Sequence, residues 1–163
     1  MPPDPAALYV AVVGPGVASH EEEAWAEEVG RLLARAGAVV VCGGSTGVME
    51  AACRGAADAG GTSMGILPGF DRGEANPYVT FAIPTGMGEM RNALIARSAD
   101  SVIAVGGEFG TLSEIAFALK IGRPVVGLRT WELVRRGEPV PGIHAADTPA
   151  EAVASALRLA GRS

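Results

Sequence analysis

Short apolar runs alternate along the chain with glycine-rich turns and with segments in which apolar residues recur at helical spacing. A continuous apolar run is typical of a strand that is buried on both faces of a parallel sheet. The predicted strands are residues 8–13, 38–42, 63–67, 79–83, 102–105 and 125–128, and the last of these is predicted to be the final strand.

Helices are predicted between these strands. Ser19 and Glu22 have the spacing of a capping box, and apolar residues follow at helical spacing as far as Gly37. The further predicted helices are residues 48–59, residues 89–99, a segment after the turn at residues 106–110, and a terminal helix with Pro149 at its first position. In the helix predicted at residues 89–99, the side chains of Met90, Leu94 and Ile95 can face the core.

The alternation of strands and helices predicts the fold class. Strand–helix repeats form parallel sheets, so we expect a single α/β domain over residues 1–163, with one doubly wound parallel sheet and helices on both faces. Residues 68–77 have the composition of a loop and follow a predicted strand, at the edge where such sheets bind ligands.

Composition and charge narrow the possible partners. The 163 residues are 48% hydrophobic and 19% charged, with a formal net charge of −5, which argues against nucleic acid as the main partner. The chain does not begin with a basic segment and an apolar run, and no stretch reaches the ~18 apolar residues of a membrane span. We expect a cytoplasmic protein that binds neither nucleic acid nor membranes.

Cysteine and histidine are scarce. Cys42 and Cys53 match no disulfide or zinc spacing and are interpreted as buried thiols. His20 and His144 lie far apart in the sequence, so we expect no metal site and no resident cofactor.

Two predicted strands run into a glycine-rich turn and then into a helix. The first turn is Gly43-Gly44-Ser45-Thr46-Gly47, and the second is Gly106-Gly107-Glu108-Phe109-Gly110-Thr111. The first amides of a helix have no intrahelical acceptor, and with the helix dipole they attract anions. Both turns therefore predict a phosphorylated small molecule as the ligand.

Several well-known motifs are missing. Gly14-Pro15-Gly16 begins like a dinucleotide fingerprint, but the third glycine is absent, and Gly43 stands where the acid that binds the ribose is expected. No Gly-Lys-Ser/Thr follows a glycine-rich loop, and the chain contains no Gly-x-Ser-x-Gly elbow. The predicted phosphate site is therefore neither a dinucleotide fingerprint nor a P-loop.

Three motifs resemble those of one family. They are Gly43-Gly44-Ser45-Thr46-Gly47-Val48-Met49, Gly86-Met87-Gly88-Glu89-Met90-Arg91-Asn92, and Gly106-Gly107-Glu108-Phe109-Gly110-Thr111-Leu112-Ser113-Glu114. Over roughly residues 8–128 the chain resembles the Lonely Guy family of Rossmann-like proteins, once misnamed lysine decarboxylases. The resemblance implies a phosphoribohydrolase that cleaves a nucleoside 5′-monophosphate, or a relative of the molybdenum cofactor carriers, and it implies a homodimer or a higher homo-oligomer.

The resemblance also implies roles for individual residues. Arg91 and Glu114 would form the catalytic pair, and the residues that bind the ligand or its phosphate would be Gly14, Gly43, Gly44, Gly47, Asn92, Gly107, Gly110 and Thr111. Glycosidic cleavage builds positive charge on the ribose, which a carboxylate can stabilise. We expect Glu114 in the first turn of its helix, where the dipole favours the ionised form.

Purely structural roles are an alternative interpretation of the same residues. Thr111 and Glu114 also have the spacing of a capping box, and Arg91 fits a solvated helix position. Gly43 and Gly44 fit a tight bend, while Phe109 and Phe117 are interpreted as packing or subunit contacts.

The chain departs from the enzymes of the family at several positions. Asn92 replaces a lysine after Arg91, Val105 replaces a proline before Gly106, and Glu50 adds a carboxylate near the first turn. This pattern favours the carrier-like branch. A pyridoxal-dependent lysine decarboxylase is excluded on chemical grounds, since the only lysine, Lys120, is expected at the end of a helix, away from the phosphate turns.

Overall fold

The computed structural model describes residues 3–161, and its main element is a parallel sheet of seven strands. Those strands are β1 (Tyr9–Val13), β2 (Val39–Cys42), β3 (Ser63–Leu67), β4 (Phe81–Pro84), β5 (Ser101–Val105), β6 (Val125–Leu128) and β9 (Ile143–Ala145). A separate antiparallel hairpin pairs β7 (Val134–Arg135) with β8 (Glu138–Pro139). The order across the large sheet is β4-β3-β2-β1-β5-β6-β9.

Helices cover both faces of this sheet. They are α1 (His20–Arg35), α2 (Val48–Asp58), α3 (Asn92–Ser98), α4 (Phe109–Lys120) and α5 (Pro149–Ala160), with short 3-10 helices at Arg72–Glu74 and Gly88–Arg91. One core lies between the sheet and α1, α2 and α5, and a second core lies between the sheet and α3 and α4. The predicted doubly wound parallel α/β fold is confirmed.

The central strands owe their apolar sequences to these two cores. Along β1, Val10 and Val12 belong to the core under α1 and α2, whereas Ala11 and Val13 belong to the core under α3 and α4. Successive side chains of a strand point to opposite faces, so a strand covered on both sides needs apolar residues at every position.

Local signals at the helix starts are confirmed. The Ser19 hydroxyl accepts a hydrogen bond from the Glu22 amide at 3.1 Å, and the Glu22 carboxylate accepts one from the Ser19 amide at 2.9 Å. At α5, the Thr148 hydroxyl accepts from the Glu151 amide at 3.2 Å, and Pro149 is the first helical residue. These side chains accept hydrogen bonds from amides at the helix starts, which have no acceptor within their own helix.

Two glycines let α1 and α2 cross in backbone contact. A Cβ atom at Gly30 would lie 2.0 Å from the Ala52 carbonyl oxygen, and one at Gly55 would lie 1.9 Å from the Glu27 carbonyl oxygen. The close crossing fixes α2 against the sheet, and therefore also the turn that precedes α2.

The structure corrects three predicted elements and one predicted core position. Residues 125–128 are not the final strand, because β9 follows and pairs with β6 at the sheet edge. The strand predicted at residues 79–83 begins at Phe81, and the helix predicted at residues 89–99 is a 3-10 turn followed by α3. Met90 lies in that turn and is 66% exposed, so its predicted core position is wrong.

The order in which strands are added to the sheet reverses between β1 and β5. The chain builds outward from β1 through β2, β3 and β4, and then returns to place β5 on the other side of β1. Loops that leave two adjacent strands in opposite directions open a crevice at their carboxyl ends, which is where open α/β sheets bind ligands. Among the described helices, none has the length and apolar character needed to cross a bilayer.

Replacing Gly55 by alanine should destabilise the protein, although alanine favours helix formation. The added methyl group would collide with the Glu27 carbonyl, and overpacking of this kind costs about 1–3 kcal/mol. Urea unfolding measures the change. Gly110→Ala is the matched control, because the nearest atom to its Cβ would be 3.9 Å away. Equal stability of Gly55→Ala and the parent protein would contradict the close crossing.

Candidate functional site

A cavity of about 180 Å³ lies at the carboxyl ends of the strands, beside the switch between β1 and β5. It is bordered by the loop after β1, the end of β2, the 3-10 turn with α3, and the start of α4. The lining residues are Gly14, Pro15, Gly16, Gly43, Met49, Glu89, Arg91, Asn92, Ile95, Glu108, Gly110, Thr111 and Glu114.

The structure brings most of the predicted site residues to this cavity. Those that line it are Gly14, Gly43, Arg91, Asn92, Gly110, Thr111 and Glu114. Gly44, Gly47 and Gly107 do not. A Cβ atom at Gly44 would meet Leu67 at 2.6 Å, one at Gly47 would meet the Pro15 carbonyl at 2.3 Å, and one at Gly107 would meet Trp131 at 2.6 Å. These three glycines therefore permit close packing outside the cavity.

Two glycines of the lining allow backbone and side chains to approach closely. A Cβ atom at Gly43 would lie 2.7 Å from Nη2 of Arg91 and 2.8 Å from the Met49 sulfur. At Gly14 it would lie 2.5 Å from the Val105 carbonyl oxygen. Any larger residue at position 43 would push the Arg91 guanidinium out of its place.

Arg91 is held by backbone and side-chain acceptors. Its Nε donates to the Ile66 carbonyl of β3 at 2.9 Å, and its Nη1 donates to Oδ1 of Asn92. Within residues 3–161, Nη2 meets no acceptor and lies against Gly43. Arg91 is therefore not a freely solvated side chain, and one edge of its planar fork stays available for an anion.

Asn92 links Arg91 to α4. Its amide nitrogen donates to the Ser113 hydroxyl at 2.9 Å, and that hydroxyl donates to the Gly110 carbonyl at 2.6 Å. Asn92 is buried, and through these hydrogen bonds it ties the guanidinium to the first turns of α4.

The two glycine-rich turns differ in which of their amides are hydrogen-bonded within the protein. In the first, the Gly44 amide donates to the Cys42 sulfur at 3.3 Å and the Val48 amide donates to the Pro15 carbonyl at 3.1 Å. In the second, the amides of Phe109 and Gly110 at the start of α4 find no acceptor within the described chain. The start of α4 therefore leaves two amides free for an anion, and one of them belongs to Gly110, which lines the cavity.

The start of α4 corrects the alternative interpretation of Thr111. Thr111 does form a capping box, but its partner is Glu108, whose amide donates to the Thr111 hydroxyl at 3.3 Å. Because α4 begins at Phe109, Glu114 lies in the second turn and takes no part in capping.

Glu114 is also not in the ionised form that its predicted position favoured. It is 8% exposed, and burial raises its pKa to about 8, although the positive charge of Arg91 acts in the opposite direction. The increase in pKa caused by desolvation exceeds the decrease caused by the charge of Arg91, because the guanidinium makes no direct ion pair with Glu114. The expectation of an ionised Glu114 is wrong, and at neutral pH the group is a neutral acid.

Sequence reasoning missed two carboxyl groups of the lining, Glu89 and Glu108. Both lie inside the recognised motifs, where their acidic character gave no signal of its own. With Glu114 protonated, the charged lining consists of Arg91 and these two groups. Among residues 3–161, no three His, Cys, Asp or Glu side chains are grouped closely enough to hold a metal ion.

The fold and the cavity define a parallel α/β protein with a cavity at the switch of its sheet. A sequence model of the SLOG cluster4 family matches residues 7–153, and the chain belongs to that family. It is also 39% identical over 146 residues to a protein of Archaeoglobus fulgidus, with 90% of this chain and 92% of that protein covered.

Two solved structures are similar to this chain over almost their whole length. One is the molybdenum cofactor binding protein from Rippkaea orientalis, with a TM-score of 0.86, 33% identity, and 96% of this chain and 99% of that chain covered. The other is the molybdenum cofactor carrier protein from Chlamydomonas reinhardtii, with a TM-score of 0.81, 33% identity, and 94% and 98% covered.

The raised pKa of Glu114 predicts how stability depends on pH. Between pH 4.5 and about 8 the folded protein keeps a proton that the unfolded chain loses, so this group lowers the free energy of unfolding as pH rises. Glu114→Gln removes the effect. Each pKa unit corresponds to about 1.4 kcal/mol, so the stability of the variant relative to the parent should rise by a few kcal/mol across this range.

Urea unfolding of both proteins at a series of pH values measures this difference, and the other titrating groups cancel in the subtraction. A difference that stays constant from pH 4.5 to 8 would contradict a neutral, buried Glu114.

Proposed function

We propose that this protein binds a phosphorylated pterin-type ligand, the molybdenum cofactor, and carries it without cleaving it. The observation that carries the proposal is the Arg91 guanidinium, which Ile66 and Asn92 fix and whose Nη2 edge is open, in the same cavity as Gly110 at the start of α4. A planar donor fork next to a helix start suits a phosphate group. The similarity to a binding protein and a carrier protein of this cofactor supports the choice of ligand.

The residues of the cavity fit the phosphate end of such a ligand. Gly43 leaves the room that the guanidinium needs, and Gly110 has open space in front of its backbone. The cavity of about 180 Å³ is smaller than the ~300 Å³ at which sites for whole small molecules begin. The phosphate would therefore lie inside, and the rest of the ligand would extend beyond the cavity.

The state of Glu114 favours a carrier over a hydrolase. A carboxylate that stabilises a ribosyl cation or orients water must be ionised, whereas burial raises the pKa of Glu114 to about 8 and so leaves it mostly protonated at neutral pH. A neutral acid beside Arg91 instead leaves the positive charge of the guanidinium available to an anionic ligand.

Hydrolysis of a nucleoside 5′-monophosphate is the second candidate. It is favoured by the position of Arg91 and Glu114 in one cavity, the pair that the resemblance to the Lonely Guy family implies. In that case the neutral Glu114 would have to act as a proton donor to the leaving base. Assembly as a homodimer and location in the cytoplasm remain predictions.

Arg91 should be required for binding. GMP is a suitable probe, because it carries a phosphate and the same 2-amino-4-oxopyrimidine edge as a pterin. Loss of a charged hydrogen bond costs about 1.5–3 kcal/mol, so Arg91→Ala should weaken GMP binding by roughly 10- to 150-fold in calorimetry. Arg97→Ala, on the exposed face of α3, is the matched control and should bind like the parent protein. Equal affinity of both variants would refute the phosphate site.

Binding should also weaken above about pH 8. Ionisation of Glu114 then adds a negative charge beside the phosphate, whereas below that pH the group is neutral. Affinity for GMP is measured from pH 6.5 to 9.5 in both proteins, and the ratio of parent to Glu114→Gln affinity, in which the titration of GMP itself cancels, should fall at the alkaline end. The same alkaline loss in both proteins would show that another group is responsible.

The two candidate functions are separated by a turnover assay. The carrier predicts saturable binding of AMP or GMP with no free base released during a long incubation, as followed by chromatography. Release of base that Glu114→Gln abolishes would establish the hydrolase and refute the carrier.

A further inference from the structure

A second cavity, of about 330 Å³, lies next to the candidate site. Its lining residues are Gly107, Arg129, Thr130, Trp131 and Glu132. The two cavities flank the loop before α4, since Gly107 lines the second cavity and the next residue, Glu108, lines the first. Both therefore open at the carboxyl edge of the sheet, where β5 and β6 end.

Trp131 is fixed in the wall of this cavity. Its indole N–H donates to the Glu108 carbonyl at 3.3 Å, and its ring packs against the core under α4. Gly107 has no side chain between the loop and the indole, where a Cβ atom would lie 2.6 Å from Nε1. A ring held by a hydrogen bond at one edge is a rigid surface for another flat group.

Phe109 extends the aromatic surface towards the phosphate site. It is 79% exposed as the first residue of α4, and its ring centroid lies 5.8 Å from that of Trp131 at an angle of 31°. A single exposed phenyl ring needs no explanation. Phe109 itself lines neither cavity, but it directly precedes Gly110, which lines the first, and its ring packs against the indole of Trp131, which lines the second.

Polar groups surround the same cavity. Arg129 has a φ of 50°, a left-handed conformation that is rare for residues other than glycine, and it places its guanidinium over the Trp25 ring at 5.7 Å. Such strained backbone occurs preferentially at functional sites. Glu132 adds a carboxyl group to the lining. A guanidinium and a carboxylate match the carbonyl and N–H groups on the edge of a purine or a pterin.

We propose that the second cavity holds the planar nitrogen heterocycle of the ligand whose phosphate binds at Arg91, stacked against Phe109 and Trp131. This inference rests on the proposed function. The cavity of about 330 Å³ lies within the range for small-molecule sites, whereas the first cavity is too small for phosphate and ring together. In this proposal Phe109 contributes to ligand binding in addition to its packing against Trp131.

Calorimetry with two probes tests the ring contact apart from the phosphate contact. Ribose 5-phosphate carries the phosphate without a heterocycle, and GMP carries both. Stacking of a base on an aromatic side chain predicts that Phe109→Ala weakens GMP binding by roughly 5- to 100-fold and leaves binding of ribose 5-phosphate unchanged. Phe117→Ala, on the same helix but, among the described residues, not paired with Trp131, is the matched control and should change neither.

The outcomes separate this inference from the proposed function. If the parent protein binds neither probe at millimolar concentration, the phosphate site itself fails. If GMP binds the parent and Phe109→Ala equally well, or if Phe109→Ala weakens both probes to the same extent, the phosphate site stands and the stacking surface is refuted.

Tryptophan fluorescence provides a second measurement that does not depend on Phe109. In Trp25→Phe, Trp131 is the sole tryptophan, and its emission should be quenched by saturating GMP and not by saturating ribose 5-phosphate. Unchanged emission on addition of GMP, in a sample that calorimetry shows to be saturated, would refute the placement of the ring beside Trp131.

Discussion

The hydrogen bond from Nε of Arg91 to the Ile66 carbonyl is the contact on which the candidate site depends. Ile66 belongs to β3, so a rigid strand of the sheet holds the guanidinium. Asn92 holds the other side and connects it through Ser113 to the start of α4. An arginine fixed in this way loses little conformational entropy when an anion arrives, which favours tight and oriented binding.

Close packing around this contact determines what can enter. Gly14 lets α2 and β5 approach each other, and Gly43 lets the guanidinium lie against the end of β2. The space that remains is small and partly acidic, since Glu89 and Glu108 share the lining with Arg91. Burial keeps Glu114 neutral near pH 7, so this acid does not cancel the positive charge that attracts the ligand.

Much of the fold could be predicted from the apolar runs, because strands covered on both faces need apolar residues at every position. The strand β9 escaped prediction, since His144 and Ala145 are exposed at a sheet edge and leave no apolar pattern. The 3-10 turn before α3 was missed for a similar reason, because its exposed residues satisfy helical spacing without facing a core.

The candidate site was predicted in part. The motifs correctly placed Arg91, Asn92 and Glu114 near one another, since all three follow strands that end at the same edge of the sheet. Motifs could not show that Gly44, Gly47 and Gly107 serve packing, because the direction of a missing side chain depends on its neighbours in space. The protonation of Glu114 depends in the same way on burial by distant segments.

The central claim is that the fixed guanidinium and the free amides of one helix bind the phosphate of the ligand. A crystal structure of the protein with GMP tests this most directly. The account predicts phosphate oxygens about 3 Å from Nη2 of Arg91 and from the amides of Phe109 and Gly110. A phosphate bound elsewhere, with Arg91 in contact only with protein groups, would contradict it.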